Sequence, residues 1–136
     1  MPSTSQLISY LRDQLLAEPT VIANGIGRSH VFNKMLSTVV DTNQVFPCLT
    51  LTYDADRTEI FADLVPITVF IEIHTKDAAI TDDLADAIVA LYHRYTGRTE
   101  AVTVYMCHDQ GGRVSPIFDS RLNTWGSLLA FDIKFG

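Results

Sequence analysis

From Ile67 the chain alternates: Ile67, Val69, Ile71 and Ile73 fall on one side, and Thr68, Phe70, Glu72 and His74 on the other. A period of two is the pattern of a strand with one face in a core. Lys76-Asp77 then turns the chain, and Ile80, Leu84, Ala87, Ile88, Leu91, Tyr92 and Tyr95 follow at helical spacing. The stretch from Asp63 to Tyr95 therefore predicts a long strand running into an amphipathic helix, their apolar faces packed together. Thr81 is the expected N-cap or first-turn residue, and Asp82 and Asp83 lie where the helix dipole favours anions. His93, Arg94 and Gly97 close the helix, cation then glycine.

Around this unit the pattern predicts a helix over 4–17, with a Ser3–Gln6 capping box, an apolar stripe of Leu7, Ile8, Leu11 and Leu15, and Pro19 as its stop. Residues 21–34 carry turn glycines and a short strand near Ser29–Phe32, and 35–46 read as loop. A proline-led strand follows from Cys48 to Tyr53, with 54–64 as a connection into the central strand. Two further strands are expected. One runs from Ala101 to about His108, with Val102, Val104 and Met106 on one face. The other is Gly126–Phe135, where Leu129, Phe131, Ile133 and Phe135 alternate with polar and small residues, which implies a terminus tied into the sheet. The sum is a single α+β domain over residues 1–136: one mixed or mainly antiparallel sheet of four to five strands with two helices packed on it.

Composition adds two constraints. The 136 residues are 47% hydrophobic but only 19% charged, below the roughly 25% of ordinary soluble chains, and a surface short of charge favours self-association. The net charge of −6, with 16 acidic against 10 basic residues, argues against a grip on nucleic acid, which needs clustered Lys and Arg. Cys48 and Cys107 read as buried free thiols rather than a disulfide. The first residues lack the basic and apolar regions of a signal peptide, and no run approaches the ~20 apolar residues of a membrane helix.

Candidate chemistry is sparse. His30, Cys48, His74, His93, Cys107 and His108 lack metal-site spacing, and Cys107 and His108, adjacent in a strand, point to opposite faces. There is no G-x-S-x-G nucleophile elbow. Gly25-Ile26-Gly27 reads as a tight turn rather than a phosphate cradle. Asp82, Asp83 and Asp86 read as dipole partners and solvated face, and Asp54-x-Asp56 lacks the rest of a calcium loop. No catalytic residue, metal or cofactor is expected. Aromatics in or beside loops, Phe61, Phe118 and Trp125, are either core plugs or interface anchors.

The order of elements resembles the tail terminator (tail completion) proteins of long-tailed bacteriophages. The resemblance covers nearly the whole chain: the first helix, the short strand before Phe32, the strand opened by Pro47-Cys48-Leu49-Thr50-Leu51, and the β-branched strand Pro66–Ile73 running into the helix Ala79–Tyr95. It closes with Val102–Cys107 and the terminal strand Leu128–Phe135. It rests on element order and texture, since that family has no sharp motif, and the segment Asn33–Phe46 is longer than its pattern. The resemblance implies a structural protein of the virion's tail–neck junction, made in the host cytoplasm, and not an enzyme. It implies a homohexameric ring seated on the tail tube protein, which ends tube polymerisation and offers a joining surface to the head connector or stopper. A sheath protein joins the partners if the tail contracts, DNA only passes through the lumen, and no membrane is involved. A small subunit with few charges suits a ring closed by heterologous contacts, and net negative charge suits a lumen that must not hold DNA. Within the loops 109–118 and 54–63, and beside them, the expected interface residues are Arg57, Phe61, Asp109, Arg113, Phe118 and Trp125. The alternatives are another head–tail connector or neck component or, in a different class, a small dimeric α+β enzyme or ligand-binding domain.

Overall fold

The computed structural model describes residues 3–33, 45–54, 64–111 and 115–136. Its centre is the pairing of β3 (Val65–Thr75) with β7 (Thr124–Phe135), antiparallel and in continuous register from Val65 opposite Phe135 to Thr75 opposite Trp125. On the far side of β3 lies β2 (Cys48–Asp54), antiparallel, and beyond it the two-residue β1 (Val31–Phe32), the one parallel neighbour. On the far side of β7 lie β5 (Thr103–Asp109), edged by the two-residue β4 (Gly97–Arg98), and β6 (Ile117–Asp119). Among the described residues the sheet is therefore mixed, mainly antiparallel, and seven-stranded. The class is α+β, as the sequence predicts. The count exceeds the expected four to five strands because β4 and β6, two and three residues long, are too short to show any period.

The inward set of β3 and β7 matches the alternation. Ile67, Val69, Ile71 and Ile73 pack with Leu129, Phe131, Ile133 and Phe135, and all are buried. Two long helices cover this face. Helix α1 (Thr4–Ala17) starts on the expected capping box, Ser3 and Gln6 bonding reciprocally, and buries Leu7, Ile8, Leu11 and Leu15. Helix α3 (Ala78–Tyr92) buries Leu84, Ala85, Ile88 and Tyr92. The Tyr92 hydroxyl donates to the Leu11 carbonyl at 2.6 Å and its ring meets Phe131 edge-on at 5.5 Å, so one side chain joins both helices to the sheet.

A third helix departs from the expected two. Pro19 does not simply stop α1; it is the first residue of a short helix α2 (Pro19–Ala23). Proline suits that position, where no backbone N–H is needed. Glu18 ends α1 and caps α2, its carboxylate accepting from the N–H groups of Thr20 and Val21. Gly25, at φ 73°, closes α2: its N–H reaches the Ile22 carbonyl and the Ile26 N–H reaches Val21. That is a glycine C-terminal motif, so Gly25-Ile26-Gly27 is indeed turn. Before β1, residues Arg28–His30 form a single 3₁₀ turn rather than strand.

Three local expectations are corrected. The N-cap of α3 is Asp77, whose carboxylate accepts from Ala79 and Ile80; Thr81 lies inside the helix, buried, bonding Thr75 and the Trp125 carbonyl. With the helix starting at Ala78, Asp82 and Asp83 sit beyond its first turn. The left-handed residue after α3 is Arg94 (φ 63°), not Gly97. Gly97 answers to crowding instead: a Cβ there would meet the Tyr95 and Tyr10 hydroxyls, which are bonded to each other beside it. In β5 a bulge between Val104 and Met106 breaks the alternation, so Val104 and Cys107 face inward while Met106 pairs Lys134. A bulge places two residues against one, and period-two reading of Val102, Val104 and Met106 fails there. Along the outer edge of β5, the Arg94 N–H donates to the Cys107 carbonyl and the Asp109 N–H to His93 Nδ1.

Candidate functional site

The opposite sheet face carries the polar half of the alternation, and it is where candidate function has to be sought. Glu72 and His74 project from it, yet both are buried, at 4% exposure each. Antiparallel pairing sets Thr50 across from Glu72 and Cys48 across from His74, with Gly126 flanking His74 on β7. The Thr50 hydroxyl donates to Glu72 Oε2 at 3.1 Å and accepts the Glu72 N–H at 3.3 Å. His74 Nε2 lies 3.4 Å from Glu72 Oε1, an electrostatic contact without hydrogen-bond geometry, and neither ring nitrogen has a hydrogen-bond partner among the described residues. A Cβ at Gly126 would lie 3.4 Å from His74 Nδ1, so glycine leaves room for the ring. Cys48 closes this end of the face against Leu122, Phe32 and Phe46.

Thiol, imidazole and carboxylate in one cluster are the residue types of a nucleophilic site. The electrostatics oppose that use. Burial, followed by the Glu72 charge, pushes the Cys48 thiol from 9.0 up to about 12, and a thiol held protonated is a poor nucleophile. Burial likewise raises Cys107 to about 12, helped by Asp109 and Asp132. Both are free, as the sequence predicts. Each folded pKa exceeds its unfolded value, so the stability contributed is complete below pH 9 and is lost as pH rises from 9 towards 12. The slope is up to about 1.4 kcal/mol per pH unit for each thiol. Thermal unfolding followed from pH 8 to 11 should show this decline, and native protein at pH 8 should resist iodoacetamide until denatured. Rapid native labelling of either cysteine would contradict the burial.

The structure describes three of the expected interface residues. Phe118 and Trp125, read as loop aromatics, are instead in strands: they face each other across the β6–β7 pair with ring centroids 5.3 Å apart. Phe118 is 46% exposed and Trp125 is half-buried; Ile117 (65%) and Leu128 (53%), whose strand neighbours Gly126 and Glu72 belong to the other side of the sheet, expose apolar surface on the opposite face. Asp109 is not part of this patch. It pairs Phe131, six residues along β7 from Trp125, which is about 20 Å. Its carboxylate turns back to the Gly111 N–H. Arg57, Phe61 and Arg113 lie outside the described residues.

Two features escaped the sequence reading. The polar cluster was visible only as one side of an alternation. The other feature is a cavity of about 350 Å³ between α1 and β2, lined by Ser5, Ser9, Arg12 and Asn33 with Ile8, Leu51, Thr52 and Tyr53. A second hollow of the same volume, on the outer face, holds Asp54, Thr68, Asp132 and Lys134. Among the described residues no three histidine, cysteine or carboxylate side chains are grouped to hold a metal ion, and no helix is long and apolar enough to cross a membrane. Comparison of the chain with protein-family models found no match, and comparison with curated proteins found none either.

Proposed function

We propose that this chain is a structural protein of a long-tailed bacteriophage, the terminator whose ring caps the tail tube. The observation that carries the reading is the β6–β7 pair, where Phe118 is exposed against Trp125 on one face and Ile117 and Leu128 are exposed on the other, in a chain with few charged residues. Apolar surface of that kind marks an association site, and tryptophan is enriched where binding energy concentrates. Copies of the chain join head to tail into a closed ring, six by the family resemblance. One side of the ring complements the last ring of tube protein, and the other presents no tube-like site and receives the head connector or stopper. DNA passes through the lumen, where net negative charge repels it.

The test is to add purified chain to the tail tube protein during polymerisation. The expected result is shorter tubes carrying a terminal ring of six-subunit mass; tube lengths unchanged at saturating chain would overturn the reading. Trp125→Ala is expected to weaken ring association by about 30-fold, the equivalent of a 2 kcal/mol anchor, read as the concentration at which light scattering shows half-assembly. Arg113→Glu is expected to impair ring or tube contact, and normal assembly in that variant would count against the role of the 109–118 segment.

A second reading, a small dimeric enzyme or ligand-binding domain, is favoured by the polar cavity beside Arg12. A tight dimer whose mass does not change on dilution, together with no effect on tube length, would select it.

A further inference from the structure

We propose that the cavity between α1 and β2 is a binding site for a single carboxylate group, held by Arg12. Ser5, Ser9 and Arg12 are spaced four and three residues apart on α1, which sets them on one face of the helix. That face looks onto Leu51, Thr52 and Tyr53 of β2, beyond the point where β1 stops pairing at Thr50. The volume of about 350 Å³ lies in the range of small-ligand sites.

Charge selects the ligand. The chain has 16 carboxylate residues against 10 Lys and Arg, yet among the described residues the cavity lining contains no carboxylate and one cation, Arg12. The other polar groups of the lining are hydroxyls and the Asn33 amide. Arg12 is positioned from one side, its Nη2 donating to Asn33 Oδ1, while its buried Nε has no hydrogen-bond partner among the described residues. A guanidinium with donors to offer fits the two oxygens of a carboxylate in a fork. A single cation balances a single negative charge, whereas a phosphate dianion would call for a second. Ile8 and Leu51 supply apolar wall for a short alkyl stem. The carboxylate comes either from a free short-chain acid or from an Asp or Glu side chain of a second copy. The inference does not depend on the ring reading.

The test follows the Arg12 Nε–H resonance and the amides of Ser9 and Tyr53 by ¹⁵N NMR. Acetate and butyrate are titrated against sodium chloride at equal ionic strength. Saturable shifts in the millimolar range with both acids, absent with chloride, are expected. Arg12→Gln should weaken them at least tenfold, and Arg12→Lys should restore affinity only in part. Ser9→Ala, a milder change, should lower affinity a few-fold and keeps the test open if Arg12→Gln misfolds. If the Arg12 signal moves on dilution without added acid, and acetate reverses the movement, the natural carboxylate belongs to a second copy. If it moves only with acid, the ligand is free. Shifts equal to those with chloride, or unchanged in Arg12→Gln, would overturn the proposal, as would no shift at any protein concentration.

Discussion

Replacing Glu72 with alanine is expected to destabilise the fold by about 3 kcal/mol, the upper end of the range for leaving buried polar groups without their partner. The carboxylate is 4% exposed and receives the Thr50 hydroxyl, while His74 stands 3.4 Å away with both ring nitrogens otherwise unpartnered among the described residues. Alanine removes the carboxylate that faces the imidazole and leaves a void on a face already short of hydrogen bonds. For a domain of this size that is a fall in Tm on the order of 10 °C. Glu72→Gln should cost less, because a side-chain oxygen remains to accept from Thr50. The double change Glu72→Leu with His74→Leu should recover most of the loss, since replacing both buried polar partners by apolar groups of similar shape costs little. Urea unfolding of the four proteins decides it. A Glu72→Ala loss below 1 kcal/mol would mean the cluster is open to water.

Phe131→Ala is expected to cost about 3–5 kcal/mol by a different route, through a cavity the core cannot close. Phe131 is 1% exposed and stands mid-strand in β7, paired with Val69 on one side and Asp109 on the other. Its ring supports Tyr92 edge-on. Tyr92 cannot swing into the void without giving up its hydroxyl bond to the Leu11 carbonyl, and the strands on both sides are held by their ladders. Little relaxation is available, so the upper half of the range applies. Denaturant unfolding should show a lower midpoint with an unchanged slope. A loss under 2 kcal/mol would show that α3 can settle onto the sheet.

The elements visible in the sequence were those whose own residues decide them. The first helix announces itself through Ser3, Gln6 and its leucine stripe, and β3 and β7 through uninterrupted alternation. What stayed hidden depends on residues distant in the chain. Gly97 looked like a helix terminator until Tyr10, 87 positions earlier in the sequence, was found packed against it. The β5 bulge is set by pairing with β7, so no pattern within β5 reports it. Alternation gave Glu72 and His74 the correct face but could not say that Cys48, Thr50 and Leu122 would bury it. Nothing in the pattern of α1 singles out Arg12; only the position of β2 makes it part of a cavity. Phe118 and Trp125 read from sequence as core plugs or interface anchors alike, and their mutual contact depends on the pairing of β6 with β7.

The short run from His93 to Arg98 has a consequence for how the chain can meet other copies of itself. Its residues lie along β5 and occupy outward backbone groups there, and it is itself only a two-residue strand bent by the left-handed Arg94. Sheets that end in a long flat strand can be extended by any chain offering a matching strand, without limit and with little regard for sequence; short, kinked borders prevent this. This flank offers only two residues for backbone pairing, so a contact made there rests on side chains, which fit at one angle and in one order. Such a contact has a fixed geometry, and its rotation alone decides whether a chain of copies closes.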